Sequence, residues 1–577
     1  MATLVSLLTA LVLVIGFAVP GSASTAASSD LVPFSKYEEP VTITVGRMGN
    51  TGGQFAPGQD AQNNAWTQML RDELNIIIDV ENGFDVDASE YENMLALRAA
   101  SNTLPDTFSI PNTLKSLALF NQLLEGNKLA DLTEAYKNVI GGKTKEYLDS
   151  LNTEEILQFM TFDNILYGLT GGREGYNTAL LWVRQDWLDK LGLEVPQTLE
   201  DIEKVALAFV EKKPGGNENT IGIALNPYAP DGMFGQWMGI LPVFNAAGSY
   251  PDIWVEDESG KAVWGGIQPE TKEALAVLAD WYQKGVLDKN LVTMKNGDEV
   301  RDTYLSTNGC GMIFNAWWDP WVQWDGLQDT SVKNNEGVVW VPVMAPLNAQ
   351  GKFSPKNETV TPGGQVVLAS CEHPEAIIKA LNLIAEVDIF RNPDFEHLRQ
   401  KYIVPVEGLT DARTNSPFNN QMVQLQNRII VAENINDYKT TGTLNLDPRV
   451  ANDKDYIQGA YDWINNNTMA EWYAARNDEE VDKYMFQYVG HLAHDTVGNL
   501  YLEGEKSGLY VEKVQSFVGT VDAHTDYGAM ISDLQYTAFI QIISGEKPLD
   551  YFDTFVAEWE RLGGGIITDQ VNEALGK

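Results

Sequence analysis

Apolar and polar positions along this chain follow two periods, and they alternate. Val41, Ile43 and Val45 are interleaved with Thr42 and Thr44, a period of two that predicts a strand. Trp66, Met69, Leu70 and Leu74 then recur near the i, i+3, i+4 spacing of an amphipathic helix. A second strand is predicted over 76–80, a helix through Tyr91, Met94, Leu95 and Arg98, and a third strand over 104–110. Strand, helix, strand in that order predicts an α/β protein with a parallel sheet and right-handed crossovers.

The pattern continues through a helical region at 117–151 and strands at 165–169 and 180–183, then a short helix over 186–191 that Gly192 stops. Thr198 with Asp201 three residues on has the form of a capping box, opening a helix whose Ile202, Val205, Ala206 and Phe209 make an apolar stripe. Pro269 opens a helix with Leu275, Leu278, Trp281 and Tyr282 that ends at Gly285. Met312 to Phe314 reads as a buried strand, 338–343 as another, and Ala376, Ile377, Ala380, Leu381 and Ile384 as a helix. The stretch 400–520, dense in Asn, Asp and Tyr, predicts less regular structure. Closing helices run through Phe539 to Ile543 and Phe552 to Trp559, stopped at Gly545 and Gly563.

At 577 residues the chain is too long for one core and predicts two or more domains. A formal net charge of −40 repels nucleic acid and anionic membrane surfaces, so neither is expected as a partner. The apolar run 4–20 followed by Gly21-Ser22-Ala23-Ser24 predicts a secretory signal peptide over 1–24, although no basic residue precedes Lys36. Residues 25–40 then read as a flexible linker, and no later run approaches the roughly 18 apolar residues of a membrane span. Two cysteines, Cys310 and Cys371, give neither a disulfide framework nor zinc spacing and read as buried thiols. His491-x-x-His494 lacks the zincin spacing and reads as structural.

The chemistry gathers after the strand at 312–314, where Trp317, Trp318, Trp321 and Trp324 crowd a short stretch. Ligands in α/β proteins collect beyond the carboxyl ends of strands, and an indole face suits the apolar face of a sugar. The alternative is that these rings cap a core. Sugar sites add planar hydrogen-bonding side chains. Arg47, Asn50 and Gln54 follow the first strand, and Asn112 follows the third. Arg173 and Tyr176 lie in a glycine-rich loop, while Gln236, Trp237 and Asn245 occupy a loop-rich stretch. Asp319 can accept hydroxyls or cap a helix starting at Pro320, and Gln365 sits beside Gly363-Gly364. Trp463, Trp472 and Tyr473 read as helix core. No recognisable carboxylate pair of a glycosidase, Gly-x-Ser-x-Gly elbow, phosphate loop or dinucleotide fingerprint appears, which points away from an enzyme.

Three stretches carry a family resemblance: 181–198, 311–317, and 543–552 with Trp559 and Leu562-Gly563-Gly564. In order and spacing they resemble family 1 of the extracellular solute-binding proteins of ABC importers, in the LipO-like, large oligosaccharide-binding branch. The resemblance implies a two-lobe, periplasmic-binding-protein-like (type II) α/β fold with hinge strands and a central ligand cleft. One lobe would hold 41–169 and 341–518, the other 170–340 and 519–577. It also implies a monomer, secreted or at the cell surface, that captures an oligosaccharide and passes it to an importer permease. A secreted carbohydrate-active enzyme and a ligand-sensing partner of a membrane receptor are the alternatives.

Two departures from the family pattern stand out. No lipobox cysteine is seen. Where relatives carry an Asp-x-Asp-x-Asn-Gly calcium loop, this chain reads 213–220 with Asn217, Glu218 and Asn219 as its oxygen donors and Lys213 beside them. Calcium needs six to eight oxygens, so no cofactor is expected. The acidic charge favours neutral sugars, with Arg47 and Arg173 as the local counterweights.

Overall fold

A computed structural model describes residues 30–49, 55–111, 113–150, 157, 160–169, 178–226, 231–294, 297–320, 327–357, 364–406, 415–418, 428–447, 450, 453–466, 485–519 and 521–577. Their main strands are β1 (Val41–Gly49), β2 (Ile76–Asp87), β3 (Thr107–Ile110), β4 (Gly168–Leu169), β5 (Leu180–Arg184), β6 (Ile221–Ala224), β7 (Cys310–Asn315), β8 (Trp340–Val343) and β9 (Gly364–Val367). The first sheet has the order β2-β1-β3-β9-β4 and the second β8-β5-β7-β6.

The parallel sheet expected from the strand–helix–strand order is present only in part. β1 is parallel to β2, with Val41 opposite Ile76 and Ile43 opposite Ile78, and parallel to β3. In the second sheet β7 and β6 are parallel. β9 runs antiparallel to β3 and β4, and β5 antiparallel to β7 and β8. β9 enters the first sheet from the second, after β8, so it does not arrive through a crossover helix within its own sheet.

Local signals place the early helices. Asn64 caps Ala65–Leu74 in a capping box with Thr67, and Trp66, Met69, Leu70 and Leu74 are buried. The Thr198–Asp201 box opens Leu199–Lys212 and buries Ile202, Val205, Ala206 and Phe209. Covering a side chain as large as Phe209 contributes about 2–3 kcal/mol. Pro269–Lys284 closes at Gly285 with φ +78, a left-handed residue that suits glycine.

Successive residues of the second sheet face opposite cores, as a pleated strand requires. Leu181, Val183, Met312 and Phe314 enter a core built from 179–345 and 523–571. Leu180, Trp182 and Ile313 face the other way, against Tyr488, Val489, Val497 and Tyr501. The first sheet has its own core, drawn from 37–169 and 366–418. Trp463 and, among the described residues, those from Tyr488 to Tyr510 thus pack on the second sheet, which differs from the expected allotment of all of 341–518 to the first lobe.

The described residues of 400–520 are also far more regular than their composition predicts. Helices run over Arg428–Thr441, Lys454–Asn466 and Val497–Ser507, with a wider turn at Gly490–Thr496. Asn and Asp are weak helix formers, but Ile430, Val431, Ile435, Ile457 and Ala460 pack into a shared core that overrides them. The closing helix Gly565–Ala574 follows Gly563, the residue expected to end the chain's last helix.

The linker expected over 25–40 is fastened from residue 30 on. Tyr37 is buried and donates its hydroxyl to Glu375 at 2.9 Å. Lys379 sits 4.2 Å from the centroid of the Tyr37 ring and donates to the Ser35 carbonyl at 2.9 Å, and Phe34 packs on Phe395. The two aromatics, Phe34 and Tyr37, turn a polar stretch into a docked one. The expected signal peptide, 1–24, lies outside the described residues. No helix among the described residues is long and apolar enough to cross a membrane.

Cys310 and Cys371 are buried free thiols in separate cores, each pushed up to about 12 chiefly by burial. The helix Asp522–Ile543 joins the halves by packing against Leu114–Glu125 of the first. Near its start His524 is buried and accepts the Val521 N–H at Nδ1. Burial lowers its pKa from 6.5 to about 4. The folded state therefore holds it neutral, and the unfolded chain binds the proton first. Its stabilising contribution is complete above pH 6.5 and declines as the pH falls toward 4. Melting temperature followed over that window should fall with acid, and His524→Gln should flatten the slope.

Candidate functional site

The buried strand β7 ends at Asn315, and several residues fix that end. Asn315 pairs with Leu180 in the sheet and bridges to Trp237. Trp182 donates its indole N–H to the carbonyls of both Asn315 and Ala316 at 3.2 Å. The Asn315 amide donates to Asp319 Oδ1 at 2.6 Å, with both side chains buried. Asp319, expected either to accept sugar hydroxyls or to cap a helix, accepts from Asn315 at this oxygen.

Trp317 is only 8% exposed. The Arg428 guanidinium lies 3.8 Å from the centroid of its ring and His494 meets it edge-on at 5.7 Å. Arg428 Nη1 donates to His494 Nδ1 at 2.9 Å, and His494 stacks on Tyr456 at 4.7 Å. Burial, then the Arg428 charge, holds His494 well below the usual imidazole range, so it is neutral and accepts. The core-capping alternative therefore describes Trp317. Trp318 and Trp237 are half-buried against the core that holds Trp317 and keep part of their surface open, and Gln236, next to Trp237 in the chain, is half-buried too.

Two candidates of the first lobe are committed to partners. Arg47 is 3% exposed, pairs with Asp85 at 2.5 Å and donates to the Ser416 carbonyl at 3.1 Å. Its charge is met by a carboxylate, so it is not the free local counterweight expected. Gln365 accepts from Ser109 at 2.9 Å and donates to Thr107 at 2.7 Å, using both ends of its amide within the sheet. Asn245 is buried in Leu241–Ala246, and its Oδ1 has no hydrogen-bond partner among the described residues. Asn50, Gln54, Asn112, Arg173 and Tyr176 lie outside the described residues, as do Trp321, Trp324, Trp472 and Tyr473.

In the loop 213–220, two of the oxygen donors expected from the sequence, Glu218 and Asn217, have protein partners. Lys213 forms an ion pair with Glu218, which holds that carboxyl below its usual range. Asn217 accepts the Asn219 N–H at 2.8 Å and donates to Thr307 at 3.0 Å. The sequence offers Asp85-Val86-Asp87-Ala88-Ser89-Glu90 as an equally weak alternative for calcium, and there Asp85 is held by Arg47. Adding EDTA or excess calcium should accordingly leave the melting temperature unchanged; a rise with calcium would contradict this.

The residues that organise Trp317 were not among the sequence candidates. Arg428 and His494 lie more than 100 residues away, and no local spacing signals them. Nearby, His491 stacks on Trp463 at 5.5 Å and Lys439 pairs with Asp495 at 2.5 Å. These contacts give the second histidine, and Trp463, the structural roles expected of them.

No family model matches the chain. Lipoprotein LipO of Bacillus subtilis is 26% identical over 210 residues, 36% of this chain and 38% of that protein. The polygalacturonan/rhamnogalacturonan-binding protein YtcQ of the same species is 29% identical over 217 residues, 36% of this chain and 39% of its own. The fructooligosaccharide ABC transporter substrate-binding protein FusA of Streptococcus pneumoniae is 29% identical over 123 residues, 21% of this chain and 22% of its own. The chain thus aligns with about two fifths or less of the length of these relatives.

Among solved structures, the alginate-binding protein AlgQ2 without calcium ion superposes with a TM-score of 0.60 at 15% identity, covering 95% of this chain and all of that one. An HMO-binding solute-binding protein of Bifidobacterium longum infantis gives 0.57 at 14% identity, covering 92% of this chain and 98% of its own. The fold is therefore the two-lobe, type II α/β fold of the solute-binding proteins. The resemblance to extracellular solute-binding proteins of ABC importers read from the sequence is borne out.

Proposed function

We propose that this chain captures an oligosaccharide between its two lobes and delivers it to the permease of an ABC importer. The observation that carries this reading is a two-lobe fold on a chain whose relatives YtcQ and FusA are named for the saccharides they bind. These relatives are binding proteins, and the reading is of capture without turnover. The ligand tips an equilibrium between open and closed lobes by touching both. On the second lobe, the half-buried Trp237 and Trp318 supply the flat apolar faces and Gln236 a nearby amide.

The preferred ligand is a neutral oligosaccharide. The net charge of −40 opposes a polyuronate, and Arg47 is already paired with Asp85. The protein acts as an exported monomer at the cell surface or beyond it. A panel of neutral fructo-, gluco- and galacto-oligosaccharides set against oligouronates, with products followed by chromatography, tests this. Tight binding of a neutral member with no cleavage supports it. Uronate preference defeats the ligand class, and chain cleavage defeats the function.

A further inference from the structure

We propose that the ion pair between Lys356 and Asp252 is a positioning contact that sets the resting angle between the lobes. The proposal rests on the lobe-closure reading above. The chain leaves the second sheet at β8 and enters the first at β9, so the described residues 344–357 form a crossover on its way from one lobe to the other.

Its middle is bound to the second half. Phe353 N–H donates to the Leu509 carbonyl at 2.9 Å, Val511 N–H to Phe353 at 3.0 Å, Lys513 N–H to Pro355 at 2.7 Å, and Asn357 N–H to Lys513 at 2.9 Å. These bonds make a parallel ribbon of 353–357 with 509–513. Ser354 Oγ donates to the Val511 carbonyl at 2.9 Å, and the Asn357 amide reaches Glu512 at 2.5 Å.

One loop, at 250–252, fastens this ribbon to the body of the second lobe. Tyr250 donates its hydroxyl to the Ser354 carbonyl at 2.9 Å. Lys356 Nζ meets Asp252 Oδ2 at 2.6 Å, the two side chains being 19% and 18% exposed. The Pro251 carbonyl between them accepts from Gln535 at 2.9 Å. Gln535 lies on Asp522–Ile543, the helix that also packs on Leu114–Glu125 of the first lobe. Two physical links between the lobes, the crossover and this helix, therefore meet at one loop.

Lys356–Asp252 is the charged link between that loop and the crossover, eight residues before β9 begins at Gly364. Breaking a largely buried pair leaves one charge without its partner and loosens the crossover's hold on the lobe it leaves. The free protein then samples a wider range of lobe separations, and the fraction competent to close on ligand falls.

The test needs no ligand, so it stands apart from the sugar panel. Spin labels at Leu97→Cys in the first lobe and Val292→Cys in the second, both exposed positions, report the lobe separation by pulsed dipolar spectroscopy. Lys356→Gln and Asp252→Asn should each broaden the distance distribution and shift it to longer values. The exchanged pair, Asp252→Lys with Lys356→Asp, should bring it back, and Lys356→Arg should leave it unchanged. Unchanged distributions in both single variants would overturn the proposal. So would an exchanged pair no better than either single variant, or single variants that fail to fold, which would make the contact one of stability alone.

Discussion

Trp317→Ala should destabilise the protein by about 4 kcal/mol, the range found for removing a buried aromatic ring. The ring is 8% exposed and fills the space between the end of β7 and the helices that carry Arg428 and His494. Deleting it removes that packing and the stacking contact with the guanidinium, worth up to about 2 kcal/mol when water is excluded. Arg428, itself 2% exposed, would keep His494 as a neutral acceptor but face a cavity. Urea denaturation followed by far-ultraviolet circular dichroism gives the difference. A loss under about 1 kcal/mol together with weakened sugar binding would place the ring at the ligand instead of in the core.

Glu386→Gln should cost about 3 kcal/mol, although it changes the side chain's volume very little. The Glu386 carboxylate is fully buried and receives the Thr144 N–H and hydroxyl, both at 2.6 Å, and the Asn392 amide at 2.5 Å. A glutamine turns one acceptor oxygen into an NH2 group that opposes these donors, leaving buried polar groups unmatched. Gly142 packs against this carboxylate with φ +64, and a Cβ there would lie 2.6 Å from Glu386 Cδ. Gly142→Ala should therefore be destabilising too, through both contact and backbone. Thermal melts that show either variant within a degree of the parent would contradict the assignment.

The residues above also show which parts of the fold can be read from sequence. Leu199–Lys212 was legible because its cap, stripe and terminus lie within sixteen residues and each acts locally. The strands β1 and β7 were legible for the same reason. The helices at 428–507 were hidden because Asn- and Asp-rich segments gain helical structure only from the core they share. Tyr37 was missed because its partners, Glu375 and Lys379, come more than 300 residues later.

The candidate site follows the same rule. That tryptophans cluster at the end of β7 was visible in the sequence. Which of them is covered depends on Arg428, a residue that only the tertiary fold brings near. Arg47 and Gln365 had the right side chains at the right strand ends, and the structure gives them protein partners. An amide or guanidinium that suits a sugar hydroxyl suits a neighbouring side chain equally well, and sequence alone does not separate the two.

The most direct measurement is calorimetric titration of the intact protein with neutral oligosaccharides, with the mixture afterwards resolved for products. Saturable binding at one site, weakened by Trp237→Ala and leaving the sugar whole, is the outcome predicted. Cleaved sugar, or no heat from any neutral oligosaccharide at protein concentrations that saturate with a uronate, would contradict it.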